Sequence, residues 1–282
     1  MDNRTQEFLS KPIMPLLIRM SAPNTVAFFI QSLVVLTEVW FISKLGTNSL
    51  AAVALAFPLL MITQTMSGGA LGGAITSAIA RSMGANDIDR VEKLIWHSIV
   101  ISLGGALIFL ILFLFFGQQL LFALGGRGAI LQESYAYCSV LFFGGALLWL
   151  SGSLSAVLRG MGNMRFPATL MVIASSFQVV LSAGFILGWF GFPKLGVPGA
   201  AVAVLITSAI MVTVILIKLQ SNSVPASLKR EKFQLRKSLF DNIFEVAIPA
   251  SVSPLLTVGT ILVLTGLVGT FGTEALAGYG IG

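Results

Sequence analysis

Long stretches of this chain carry no charge, and that constrains its fold more than any other feature. Residues 45–80, 94–126, 134–158, 166–193, 195–217 and 246–273 contain no Asp, Glu, Lys or Arg, and between Arg19 and Lys44 the only charge is Glu38. Each run can hold the roughly 20 apolar residues that a membrane-spanning helix requires. A backbone crossing lipid must satisfy its own hydrogen bonds, which leaves helices and closed barrels, and runs of this length are helical. The expected fold is an all-α polytopic membrane protein with seven spans and an eighth beginning at Glu274–Gly282.

Composition agrees. Of 282 residues 56% are apolar and 10% charged, where a soluble domain carries about 25% charged residues. Turn signals separate the runs at Leu45-Gly46-Thr47-Asn48, Met83-Gly84-Ala85-Asn86, Gly160-Met161-Gly162-Asn163 and Gly196-Val197-Pro198-Gly199. Of the 17 Lys and Arg residues, only Lys44, Arg127 and Lys194 fall on one set of span ends. All others share the opposite set. The positive-inside rule then places the N-terminus and the 218–245 connection in the cytoplasm, with the protein in the cell membrane. This distribution also accounts for the basic balance without nucleic acid. The cluster Lys229–Lys237 reads as part of a solvated linker, with anionic lipid head groups as the other partner it could take.

A single cysteine, Cys138, rules out an internal disulfide framework, and a single histidine, His97, rules out a His-cluster metal site. His97 reads as an interfacial residue, or else as a proton relay. The turn Gly125-Gly126-Arg127-Gly128 has no strand before it and no Gly-Lys-Ser/Thr after it, so it is no phosphate cradle. No Ser/His/Asp set and no paired carboxylates are present. The chain is expected to be neither an enzyme nor dependent on an organic cofactor.

An internal repeat appears when Pro23 is laid on Pro249. Gly46-Thr47 then falls on Gly272-Thr273 and Leu50-Ala51 on Leu276-Ala277, without a gap. The seventh span restarts the first after six, so the two copies share one orientation, as in transporters built from parallel halves. Three parts are expected: a six-helix lobe over 1–218, a cytoplasmic linker over 219–245, and the first helix and start of the next of a second lobe over 246–282. The rest of that lobe is either an omitted remainder of the chain, the preferred reading, or is supplied by another molecule.

Chemistry concentrates on the first span. Asn24, Gln31 and Glu38 recur every seven residues and therefore line one helical stripe. Such a stripe is tolerated in lipid only against a bundle interior or a wet cavity, and an intramembrane carboxylate is a functional group by default. On the fifth span Ser175, Gln178 and Ser182 form a second stripe. Gln64 precedes Gly68, Gly69, Gly72 and Gly73, whose spacing suits close helix approach. Pro23, Pro249 and Pro254 interrupt the helical ladder, as bending points or as static kinks. Glu38, with Gln178 and Ser182, is the expected proton or cation site. Asn24, Gln31, Thr37, Gln64 and Ser175 are the expected cavity lining, with Pro23 and Pro249 as gating points.

Several segments together resemble a known family. They are Thr37-Glu38-Val39-Trp40-Phe41-Ile42 with Leu45-Gly46, Leu50-Ala51-Ala52-Val53, Ala80-Arg81-Ser82-Met83-Gly84-Ala85, Leu158-Arg159-Gly160-Met161-Gly162-Asn163-Met164-Arg165, and Gly196-Val197-Pro198-Gly199-Ala200-Ala201-Val202-Ala203. Their order and spacing resemble the multidrug and toxic compound extrusion (MATE) transporters. The resemblance implies a cation-coupled antiporter that expels organic, often cationic, compounds by alternating access of two lobes. It also implies a carboxylate at Glu38, usually Asp, within a cation site of the first lobe. The family's fifth-helix Asn-x-x-x-Asp here reads Gln178-x-x-x-Ser182, and its sixth-helix Thr is Val204. Losing an acid and a hydroxyl removes hard ligands for sodium and favours a proton. The expected partners are membrane lipid, an organic substrate, H+ or Na+, and the missing second lobe. The alternatives are a lipid-linked sugar flippase, a sodium-coupled exporter with its ion site in the missing lobe, and an inactive fragment.

Overall fold

The computed structural model describes residues 12–221 and 223–279. The charges expected at Arg4 and Lys11, and the chain beyond Tyr279, lie outside them. The described residues form ten α-helices: α1 (Ile13–Ser43), α2 (Thr47–Gln64), α3 (Gly72–Gly84), α4 (Ile88–Ala123), α5 (Gly128–Phe143), α6 (Gly145–Gly160), α7 (Arg165–Leu187), α8 (Val197–Gln220), α9 (Lys237–Gly269) and α10 (Thr273–Tyr279). A π-helical turn, Thr65–Leu71, joins α2 to α3 into one 38-residue span. With α1, α4, α7, α8 and α9 this makes six helices long and apolar enough to cross a membrane, or seven if the bent pair α5 and α6 is one span. Every charge-free run falls on one of these helices or on that pair.

Small residues share the buried helix contacts with large ones such as Leu55, Ile75, Ile79 and Leu94. The residues with no exposure include Ala51, Ala52, Ala56, Ala74, Ala156, Ala201 and Ala203, while Leu107, Ile108, Phe115 and Phe116 of α4 stand largely exposed. Against lipid tails a large apolar side chain gains nothing by burial, so small residues share the helix contacts and let backbones approach. α1 packs on α7 and α7 on α8, while α6 packs on α3, α4 and α8.

Two irregularities lie at such close contacts. The pair α5 and α6 is not straight but bent by 53°. The break falls at Gly144, where a Cβ would stand 2.3 Å from Leu205 of α8. Leu205 packs at the bend, and a side chain at position 144 would have to displace it. The π turn lies beside α6, where a Cβ on Gly152 would come within 3.3 Å of the Gly68 Cα. Of the glycines expected to serve close approach, Gly72 does so too, against Ala156, whereas Gly69 and Gly73 face open space.

The segment between α8 and α9 is largely exposed, yet it is tied to α4. Lys229 Nζ lies 2.8 Å from Oε1 of the buried Glu92, and Lys232 Nζ lies 2.6 Å from Asp89. Trp96 Nε1 donates to the Lys229 carbonyl at 2.9 Å, and Trp96 meets Phe233 edge-on. His97 has no solvent exposure, its Nδ1 sits 2.7 Å from the Lys93 carbonyl, and its Nε2 accepts the Arg236 N–H at 3.0 Å. Both ring nitrogens are engaged by backbone groups, so His97 also ties the segment to α4. The sequence did not show this docking because the acids that hold the segment lie more than a hundred residues earlier. α9 itself starts at Lys237 and carries Pro249 and Pro254 inside a continuous helix.

Candidate functional site

The two polar stripes meet. α1 and α7 run in the same direction, and their shared face brings the seven-residue steps Gln31 to Glu38 and Ser175 to Ser182 into register. Ser175 Oγ donates to Gln31 Oε1 at 2.8 Å. Two turns on, Gln178 Nε2 and Ser182 Oγ both donate to Glu38 Oε1, at 3.0 and 2.5 Å. Among the described residues no hydrogen bond reaches Glu38 Oε2. Ser175, Gln178 and Ser182 are buried, and Glu38 and Gln31 are partly buried. Apolar neighbours on α1 seal the seam, since Ala27, Val34 and Phe41 are buried while Phe28, Phe29, Leu33 and Leu36 face outward.

Local sequence explains why this seam is the site. α1 contains no glycine, and its prolines are Pro15 in the first turn and Pro23 further in, so past Pro23 its register is set by long side chains at positions one or two turns apart. Buried donors on α7 need acceptors, and the only side-chain acceptors opposite are Gln31 and Glu38. A carboxylate oxygen with two donors forms charge-assisted bonds, and the second oxygen is left to hold or release a proton.

The other expected residues are arranged differently. Thr37 Oγ1 donates to the Leu33 carbonyl of its own helix at 2.8 Å. Asn24 is partly buried and Gln64 exposed at the start of the π turn, and among the described residues neither side chain makes a hydrogen bond, although the Ser67 hydroxyl donates to the Gln64 backbone carbonyl at 3.4 Å. Pro23 sits within α1, which continues through it. Tyr137 of α5, which the sequence did not single out, is buried in the bundle.

Known proteins share this architecture. The chain is 24% identical over 240 residues to the probable multidrug resistance protein YoeA of Bacillus subtilis, covering 84% of this chain and 52% of that protein. To the multidrug export protein MepA of Staphylococcus aureus it is 25% identical over 281 residues, covering 99% and 61%. Among solved structures, the inward-facing conformation of a multidrug resistance MATE family transporter of the MOP superfamily superposes with a TM-score of 0.80 at 28% identity, covering 88% of this chain and 55% of that one. The chain therefore spans roughly half to three-fifths of the length of these relatives. The profile of the MatE family matches residues 23–183, more than half of the sequence, so the chain belongs to the MatE family.

Proposed function

We propose that this chain supplies the ion-coupling half of an antiporter that exports organic, often cationic, compounds from the cell, with Glu38 carrying a proton. The reading is supported by the family and by the names of the relatives, one a multidrug resistance protein and one a multidrug export protein. The observation that carries the ion role is the Glu38 carboxyl itself, with Oε1 tied to two donors on α7 and Oε2 available.

In this mechanism the ionised carboxylate binds Gln178 and Ser182 through charge-assisted bonds and clasps α1 to α7. A proton arriving at Oε2 removes the charge, weakens both bonds and lets α1 shift against α7. Pro23, which leaves one rung of the α1 ladder unmade, is the bending point, and Pro249 is its counterpart in α9. Asn24 and Gln64, whose side chains make no hydrogen bond among the described residues, are offered to the substrate, with Gln31, Thr37 and Ser175 behind them. Alternating access then exchanges proton for cargo across the plasma membrane, the basic span ends facing the cytoplasm. One proton falling through about 100 mV and about one pH unit supplies about 2.3 kcal/mol plus about 1.4 kcal/mol, enough to drive a gradient of several hundredfold.

The test is dye efflux from vesicles carrying the full-length protein. A pH gradient should drive efflux by the wild type and not by Glu38→Gln. Efflux driven by a sodium gradient alone would reassign the coupling ion, and equal transport by Glu38→Gln would remove Glu38 from the mechanism.

A further inference from the structure

Two adjoining cavities, of about 160 and 350 Å³, open where the α3–α4 turn meets the first turn of α9. Asp87, Arg90 and Asn242 line both, Arg81 borders the smaller, and Lys93 and Arg236 border the larger. The cavities sit at the basic end of the bundle, far along α1 and α7 from Glu38, and the proposed transport chemistry uses none of these residues.

The charges here are unequally committed. Lys93 and Lys232 both bind Asp89, and Lys229 binds Glu92. The guanidinium groups are left over: among the described residues no ion pair reaches Arg81, Arg90 or Arg236. Arg81 Nη1 donates to Ser77 Oγ and Arg236 Nη2 to Gln234 Oε1, which leaves most of their donors unused. Arg90 lines both cavities, and among the described residues its guanidinium makes no hydrogen bond. Two acids also line the larger cavity: Asp89 is paired with Lys93 and Lys232, and Asp87 Oδ1 caps α4 by accepting the Arg90 N–H at 3.0 Å. The first turn of the 33-residue helix α9 also borders the larger cavity at Leu239 and adds the partial positive charge of a helix start.

We infer that these joined cavities bind a phosphate-bearing anion, with Arg81, Arg90 and Arg236 as its ligands. Guanidinium forks match phosphate oxygens two at a time, which an ammonium group cannot do. At the ends of the spans the nearest abundant source is the head group of an anionic phospholipid, and free phosphate offers the same chemistry. Of the Lys229–Lys237 run the site uses Arg236 alone, since Lys229 and Lys232 are held by acids of α4. Nor does it depend on the transport reading.

The test uses the full-length protein in phosphatidylcholine nanodiscs, with and without phosphatidylglycerol, and in detergent with inorganic phosphate as the probe. Bound lipid is counted by native mass spectrometry and phosphate binding by calorimetry. Wild type should bind one of the two probes about tenfold more tightly than Arg90→Gln or Arg236→Gln, the effect of losing a hydrogen bond to a charged group. Lys237→Gln, exposed and outside the cavities, should bind like wild type. Retention of phosphatidylglycerol alone assigns the site to a lipid head group, and binding of phosphate that displaces the lipid assigns it to the free anion. Should Arg90→Gln fail to fold, the exposed Arg236→Gln carries the comparison. Wild type binding neither probe, or the arginine variants binding as well as wild type, overturns the inference.

Discussion

Ser182 on α7 donates its hydroxyl to Oε1 of Glu38 on α1 across 2.5 Å, and Gln178 reaches the same oxygen from one turn earlier. A glutamine in place of Glu38 still offers a carbonyl oxygen to both donors but cannot carry a proton. Glu38→Gln should therefore fold like wild type, with proton-driven efflux reduced to the background of empty vesicles. Glu38→Ala leaves both donors without an acceptor, at about 1–3 kcal/mol each if they stay dry. Its thermal unfolding should come at distinctly lower temperature than that of Glu38→Gln. Equal destabilisation of the two variants would count against this hydrogen-bond arrangement.

The neighbouring pair, Gln31 and Ser175, is a matter of helix docking. Gln31→Leu and Ser175→Ala should each cost about 1 kcal/mol, and the double variant little more than either, because both remove the same bond. Thr37→Val combined with Ser175→Ala should instead be additive, since Thr37 is bonded within α1. A double-mutant cycle on unfolding in detergent distinguishes the two patterns. Additivity at Gln31 and Ser175 would mean that the stripes do not meet there.

Hydrogen bonds from Lys232 and then Lys93 hold the Asp89 carboxyl at about 2, below its ordinary 3.8. A group lowered on folding stabilises the docked segment while it is ionised, so the contribution is complete above about pH 3.8 and is lost as pH falls toward 2. Trp96, with its ring 5.1 Å from that of Phe233, reports on docking. With the other tryptophans replaced by Phe, its fluorescence should stay constant from neutral pH to about 4 and change between about 4 and 2. Asp89→Asn should remove that step. Because Asp89 is exposed, high salt should weaken the contribution as well.

How much of this could be read from sequence depended on distance along the chain. The spans were legible because lipid excludes charge, and every charge-free run became a helix. The seam of α1 and α7 was half legible: periodicity put Gln31 and Glu38 on one stripe and Ser175, Gln178 and Ser182 on another. That the stripes touch is a matter of packing. The packing of Leu205 against Gly144 was hidden because Leu205 lies two helices further on. Docking of Lys229, Lys232 and Arg236 was hidden for the same reason, since Asp89, Glu92 and His97 look like ordinary span-end residues until α4 extends past the apolar run to hold them.

The contact of Gly105 with Trp149 tests the packing rule on which the bundle rests. A Cβ on Gly105 of α4 would stand 2.2 Å from Cζ3 of Trp149 on α6, whose ring is buried and tilted against Phe109. The indole cannot move aside without disturbing that ring, so Gly105→Ala must separate α4 from α6. Overpacking of this kind costs about 1–3 kcal/mol. Gly104, one residue earlier, has nothing within 4 Å of the same position. Gly104→Ala should be neutral or slightly stabilising, as expected from helix propensity alone. Trp149→Leu should return part of the stability lost in Gly105→Ala, because the smaller side chain vacates the space the methyl group needs. Thermal unfolding of the three variants in one detergent decides the point. If the two alanine substitutions behaved alike, propensity rather than close approach would govern this interface, and the small residues buried throughout the bundle would need another explanation.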